Sequence, residues 1–281
     1  MQPFRSALYM PGSNPRALDK ARSLPCDALL FDLEDAVAPD EKSAARATLA
    51  GALAEGGYGR RVRIVRINGL DTEWGRDDVS AVAGMACDGV LLPKVDGPHH
   101  VDALAELLPE TPVWVMIETA RGVLNAAAIA AHPRVAGFVI GTNDLAKELG
   151  TRPSPDRAPL WTALQTCVLA ARASGIVVLD GVYNAFRDED GLRRECVQGR
   201  DFGMDGKTLI HPAQLAIANE VFGPSSDEID LARRQIAAFE AAEAEGQGVA
   251  VLDGRIVENL HVVTARATLA KAAAIAELED A

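Results

Sequence analysis

In this 281-residue chain, carboxylates and basic side chains recur at one kind of place, the residue or two that close a short apolar run. The run VWVMI is followed directly by Glu118, and VAGFVIGTN, one segment later, by Asp144. Two carboxylates are hard oxygen donors in small number. That set suits Mg2+, which takes one or two carboxylates and fills its remaining positions with water and substrate. No histidine or cysteine spacing argues for zinc. Each acid taken alone reads equally well as part of a helix start, with Thr119, or Asn143 and Asp144, capping the next helix. The pairing of the two at one rim favours a metal.

Arg66 closes RVRIVR, after Arg61 and Arg63 at alternate positions that share a side, and only Arg66 reaches the productive end. Its planar guanidinium suits a carboxylate or a developing enolate oxygen. The competing reading is an ion pair with Asp32, Glu34 or Asp35 of FDLEDAV, and spacing alone favours it. That acidic cluster orients metal-bound water, pairs with Arg66 or Lys94, or caps the next helix, and Asp35 stands among the catalytic candidates. Further run-closing groups are Asn68, Asp180, Lys207 and His211, the last suited to capping ahead of Pro212. His99, His100, His132 and His261 read as surface or loop residues. Arg16 and Lys20 lie four apart on one helix face, which by itself implies only solubility. GMDGK lacks the full phosphate-loop pattern.

Eight apolar runs hold these residues: SALYMP, DALLFDLED, RVRIVRING, DGVLLPK, PVWVMIET, VAGFVIGTND, GIVVLDG and GMDGKTLI. Segments of helical period alternate with them, from NPRALDKARSL through RGVLNAAAIAAH to DEDGLRRECVQG. Continuous apolar strands are what a parallel sheet covered on both faces requires. No glycine-rich dinucleotide fingerprint follows the first strand, so eight units point to a closed (β/α)8 TIM barrel over an open doubly wound sheet. Its active site forms at the C-terminal strand ends, where the run-closing residues stand. After residue 223 come a long helix, a VAVLDGRIVE hairpin and an Ala-rich helix. The expected organisation is a catalytic barrel over 1–223 and a C-terminal helical extension over 224–281.

Acidic residues outnumber basic ones by 40 to 28, a net charge of −12, so nucleic acid is not an expected partner and an anionic substrate depends on a few placed cations. The N-terminal residues lack a signal peptide's apolar stretch, no uncharged apolar run approaches a membrane span, and four scattered cysteines form no Cys-x-x-Cys pair. A soluble, cytoplasmic protein is the expectation.

Together, LYMPGSNPRALDKA, LLFDLEDAVAPDEKSAAR, VRING, GVLLPKV, MIETARGVLN, GTNDL, LDGVYN and GMDGKTLIHPAQ closely resemble the CitE-like branch of the HpcH/HpaI superfamily, home of the citrate lyase β subunit and of malyl-CoA and citramalyl-CoA lyases. The resemblance implies the same barrel, Mg2+ on Glu118 and Asp144, and Arg66 on the substrate beside an enolate-like oxygen. It implies Arg16 and Lys20 near coenzyme A phosphates, the GKTLIHP loop near the adenine, and a homotrimer or homohexamer in which each extension covers a neighbour's site. The lyases it resembles carry an Asp base there. Glu258 occupies that place, keeping the carboxylate and adding a methylene, and reads equally as a solvated hairpin residue. The implied activity is a carbon–carbon lyase joining or splitting an acyl-CoA and a 2-oxo acid. The alternatives are a thioesterase that hydrolyses a malyl-CoA type ester, and a subunit that acts on a carrier protein within a larger lyase complex.

Overall fold

Runs of apolar, largely β-branched and leucine residues fold as strands buried on both faces, and the computed structural model, which describes residues 2–279, contains all eight. They are β1 (Ser6–Pro11), β2 (Ala28–Asp32), β3 (Val62–Arg66), β4 (Gly89–Leu92), β5 (Val113–Ile117), β6 (Val135–Ile140), β7 (Val177–Asp180) and β8 (Gly206–Leu209). Each pairs in parallel with the next, and β8 pairs with β1, closing a barrel. The fold is a (β/α)8 TIM barrel with a C-terminal helical extension.

Strand alternation decides which side chains fill the barrel. Ala7, Ala28, Leu30, Ile64, Leu91, Trp114, Met116, Val139 and Leu179 form one buried cluster inside it. Trp114 takes the largest share of that space, and glycines flank it. A Cβ at Gly137 would lie 2.5 Å from its ring, and one at Gly89 2.9 Å. Counting on by two from this cluster reaches Asp32 on β2, Arg66 on β3 and Glu118 just past β5. The apolar interior therefore ends in charged groups on the same inward parity.

Outside the barrel run α1 (Pro15–Ala21), α2 (Lys42–Glu55), α3 (Gly75–Val82), α4 (Pro98–Leu107), α5 (Ala120–Leu124), α6 (Ala126–Ala130), α7 (Thr142–Glu148), α8 (Trp161–Ser174) and α9 (Glu189–Asp201). The expected single helix over RGVLNAAAIAAH is broken at Asn125, which leaves helical geometry and donates its side-chain amide to the carbonyl of Asp96 at 2.6 Å. Arg61 and Arg63 do not share a side with Arg66. Arg66 lies three residues beyond Arg63 and so has the opposite parity. Arg63 forms a two-point ion pair with Asp88, while Arg61 donates to the carbonyls of Leu24 and Tyr58.

The chain divides into two compact units by its contacts: Phe4–Asn219, which is the barrel, and a second unit built mainly from residue 220 onward. The boundary falls within α10 (Leu215–Phe222). The second unit contains α11 (Ser226–Ala244), β9 (Ala250–Leu252), β10 (Arg255–Val257) and α12 (Asn259–Glu279). A capping box starts α11: Ser225 accepts from the Glu228 N–H, and Glu228 accepts from that of Ser225. The strands form an antiparallel hairpin whose turn residues, Asp253 and Gly254, both have positive φ. Phe239, Ala242, Ala250, Val257 and Val262 form its core.

Candidate active site at the strand ends

The inward parity of β2, β3 and β5 brings Asp32, Arg66 and Glu118 to the C-terminal mouth of the barrel. There, with Tyr9, Asp35, Asn143, Asp144 and Asn184, they line a cavity of about 360 Å3. A larger cavity of about 660 Å3 adjoins it through Asp35 and is lined by Glu34, Asn68, Trp74, Lys94 and His100.

Arg66 is 8 % exposed and is held from three sides. Asp32 takes its Nε at 2.8 Å and one terminal nitrogen at 2.5 Å, a bidentate fork. The other terminal nitrogen lies 2.7 Å from Glu34 and 3.5 Å from Asp35, and the guanidinium carbon sits 5.0 Å from the centre of the Tyr9 ring. Burial disfavours the charged guanidinium, but Asp32 and Glu34 beside it outweigh burial, so Arg66 stays firmly protonated. Asp32 also accepts the backbone N–H groups of Glu34 and Ala36, which fixes the β2 loop. The ion pair that competes with a substrate role for Arg66 is therefore present, and it aims the guanidinium into the cavity. Removing one partner of such a buried pair typically costs about 3–5 kcal/mol.

Glu118 is buried, 3 % exposed, and one oxygen accepts the Lys94 backbone N–H at 2.8 Å. Its other side packs on Gly141, where a Cβ would lie 2.4 Å from the Glu118 Cβ and 2.5 Å from Oε2. Burial pushes its carboxyl up to about 8, against the Lys94 N–H and with the help of the Glu34 and Asp144 charges. Asp144 is half-buried in the first turn of α7. Neither it nor Asn143 caps that helix. The N-cap is Gly141, without a side-chain bond, whereas Thr119 does cap α5 by accepting the Gly122 N–H at 2.9 Å. A carboxyl raised first by burial and then by the charges of Glu34 and Asp144 stands in an environment that a hard divalent cation would neutralise, so these donors fit Mg2+. Among the described residues no group of three or more His, Cys, Asp or Glu side chains is placed to hold a metal. Two protein ligands would leave the remaining positions to water and substrate.

The other expected site residues separate. Asp35, its side chain 70 % exposed, borders both cavities. Arg16 and Lys20 are exposed on α1 and line neither. Glu258 belongs to the C-terminal unit, exposed, with its backbone N–H on Nδ1 of His261 at 3.0 Å. Asp180 and Lys207, although they close apolar runs, have the outward parity. They form a buried quartet with Arg157 and Glu195: Lys207 lies 3.2 Å from Asp180 and 2.5 Å from Glu195, and Arg157 bonds Asp180 at 2.7 Å. Burial works against the Asp180 charge, yet Lys207 and Arg157 beside it keep Asp180 below the usual carboxylate range. His211 caps a short 3-10 turn, accepting from Ala213.

Sequence reasoning passed over Tyr9, whose inward parity with Ala7 was readable, and Gly141. It also passed over the amide pair in which Asn184 donates to Asn143 at 2.9 Å and Asn143 donates back at 3.3 Å. That pair joins the first turn of α7 to the loop after β7, and no local sequence signal announces it.

Comparison with known proteins adds what geometry alone does not. Residues 5–212 match the HpcH/HpaI aldolase/citrate lyase family. A (3S)-malyl-CoA thioesterase of Cereibacter sphaeroides is 67% identical over 98% of this chain and 96% of its own length. An L-malyl-CoA/beta-methylmalyl-CoA lyase of the same species is 36% identical, over 92% of this chain and 91% of its own. Among solved structures, CitE from Mycobacterium tuberculosis, in complex with magnesium, acetoacetate and coenzyme A, superposes with a TM-score of 0.82 at 32% identity, covering 95% of this chain and 97% of that one. The expectation of a carbon–carbon lyase is thereby corrected. The far higher full-length identity is to a hydrolase, and lyase likeness persists only at distant identity. The strand-end motifs did not separate the two because the same binding groups serve either outcome. The chain belongs to the HpcH/HpaI aldolase/citrate lyase family, in its CitE-like branch.

Proposed function

We propose that this protein is an Mg2+-dependent thioesterase that hydrolyses malyl-CoA or a closely similar coenzyme A ester to the free hydroxy acid and coenzyme A. The observation that carries the reading is the 67% identity, over nearly the whole of both chains, to a (3S)-malyl-CoA thioesterase. Three features of the strand-end cavity support the reading. Glu118 and Asp144 hold Mg2+, which when bound supplies a Lewis acid and template for the substrate's hydroxyl and carboxylate oxygens. Arg66, fixed by Asp32 and Glu34, presents its remaining N–H donors to the thioester oxygen as negative charge develops on it. Asp35 orients water at the junction of the two cavities. Water adds to the carbonyl carbon, the carbon–sulfur bond breaks, and the thiolate leaves and takes up a proton. No 2-oxo acid enters.

Arg16 and Lys20 meet the coenzyme A phosphates and the GKTLIHP loop lies near the adenine. Glu258 acts on a neighbouring copy's site, taking the proton of the attacking water, in a homotrimer or homohexamer. An exposed apolar set in the C-terminal unit supports such coverage: Val249, Val251, Ile256, Leu260 and Val263 are 46–70% exposed. The unpaired cysteines suit a reducing compartment such as the cytoplasm, and no helix among the described residues is long and apolar enough to cross a membrane.

Incubation of the purified protein with malyl-CoA and Mg2+ tests this. Malate with free thiol is the expected result. Glyoxylate with acetyl-CoA would overturn it, as would no turnover with any malyl-CoA type ester.

A further inference from the structure

We propose that Lys94 positions Glu118 for metal binding through its backbone, not its ammonium. This rests on the magnesium reading of Glu118. Lys94 has φ +52, in the left-handed region where a side chain other than Gly, Asn or Asp is uncommon. Among the described residues only Arg157 and Asp253 share that feature outside glycine. Pro93 precedes it, immediately past β4, and at this left-handed turn the Lys94 N–H donates to Oε1 of Glu118, just past β5, at 2.8 Å. Gly141 closes the opposite side, its missing Cβ leaving room for Oε2. Glu118 is thus gripped between two backbones, one donating and one yielding space. A ligating carboxylate held in this way keeps a fixed direction for its free lone pairs.

The side chain of Lys94 contributes little to this. It is 63% exposed, and its Nζ stands 4.0 Å from Glu34, the limit of an ion pair, where solvent screens the interaction. Charge alone does not explain a residue held in a disfavoured conformation. The backbone contact does.

A matched pair of variants separates the two contributions. Lys94→Asn and Lys94→Ile both remove the ammonium, but asparagine tolerates the left-handed region and β-branched isoleucine does not. By calorimetry with Mg2+ alone, the Asn variant is expected to bind within about threefold of wild type and the Ile variant about 10–100-fold more weakly, the range for lost partners of metal ligands. Amide hydrogen exchange supplies a measurement that does not depend on how the Ile variant folds. In Glu118→Ala, the residue 94 amide is expected to exchange faster while the β5 amides keep their protection. Equal Mg2+ affinities in the Asn and Ile variants, whether both weakened or both unchanged, would overturn the proposal, as would unaltered exchange at residue 94. A wild-type protein that binds no Mg2+ would instead remove the metal site itself, a failure distinct from these.

Discussion

Gly141→Ala is a one-methyl change that the backbone permits and the site does not. Gly141 has φ −86 and ψ 74, away from the left-handed region, so alanine meets no conformational penalty there of the kind that positive φ imposes. The added Cβ would lie 2.4 Å from the Glu118 Cβ and 2.5 Å from Oε2, where ordinary contact begins near 3.4 Å. Glu118 or the β6 end must therefore shift by about 1 Å, taking the difference between ordinary contact and the observed approach. Because Lys94 closes the opposite side, a shift of that size presses Oε1 well inside its 2.8 Å contact unless the carboxylate turns away and gives that hydrogen bond up. Overpacking of this kind costs about 1–3 kcal/mol, and losing a charged group's hydrogen bond about 1.5–3 kcal/mol. A misplacement near 1 Å costs on the order of 100-fold in rate. The expected outcome is a fall in Tm of several degrees, kcat/KM on malyl-CoA down about 100-fold, and weaker Mg2+ binding by calorimetry. The double variant Gly141→Ala, Glu118→Asp, which withdraws a methylene from the same space, should regain part of the lost Tm. A single variant with wild-type Mg2+ affinity and turnover would refute the reasoning, because the close approach would then carry no consequence.

Arg66→Lys exchanges a fork for a point charge, so kcat should fall about 10²–10³-fold in steady-state assays while Mg2+ affinity stays near wild type. A change confined to KM would contradict its part in meeting developing charge. The raised carboxyl of Glu118 gives a pH prediction with a definite sign. Its folded pKa of about 8 exceeds the ordinary value of 4.5, so the metal-free folded state binds the extra proton. That contribution to stability is full below about 4.5 and is lost as pH rises towards 8. Mg2+ takes the ionised form, so binding at pH 7 should release close to one proton, measured by calorimetry in buffers of differing ionisation enthalpy, and no proton release would count against it. Lys207→Met leaves Asp180 and Glu195 with Arg157 as the one remaining cation of the buried quartet and should cost about 3–5 kcal/mol in denaturant unfolding. A loss below about 1 kcal/mol would show the quartet to be solvated, since exposed pairs fall in that range.

Much of the fold was legible in the chain because a TIM barrel writes itself as eight apolar runs, and all eight form strands. The site residues were legible as groups that close those runs, yet that criterion admitted too much. Asp180 and Lys207 close theirs on the outward parity and join the buried quartet, whereas Arg66 and Glu118 close theirs inward. Counting by two from Ile64 and Trp114 separates the classes, and the same count puts Arg63 on the other side from Arg66. The start of α7 was misplaced because TNDLAKE is short and mostly polar, and its N-cap, Gly141, lies ahead of Asn143 and Asp144 and makes no side-chain bond. The Lys94 turn was invisible for a different reason: a lysine carries no sign of positive φ, as a glycine would. The choice between lyase and hydrolase was not legible because both need the same bound acid and the same cation at the carbonyl. They differ in whether water reaches the thioester.

Water as the attacking group is therefore what separates hydrolysis from carbon–carbon cleavage, and its oxygen can be followed directly. Turnover of malyl-CoA with Mg2+ in water enriched in 18O, with mass analysis of the products, traces the oxygen. Malate carrying one solvent oxygen in the carboxylate that had been the thioester, formed in step with free coenzyme A, is the expected result. Acetyl-CoA and glyoxylate appearing in place of labelled malate would contradict it.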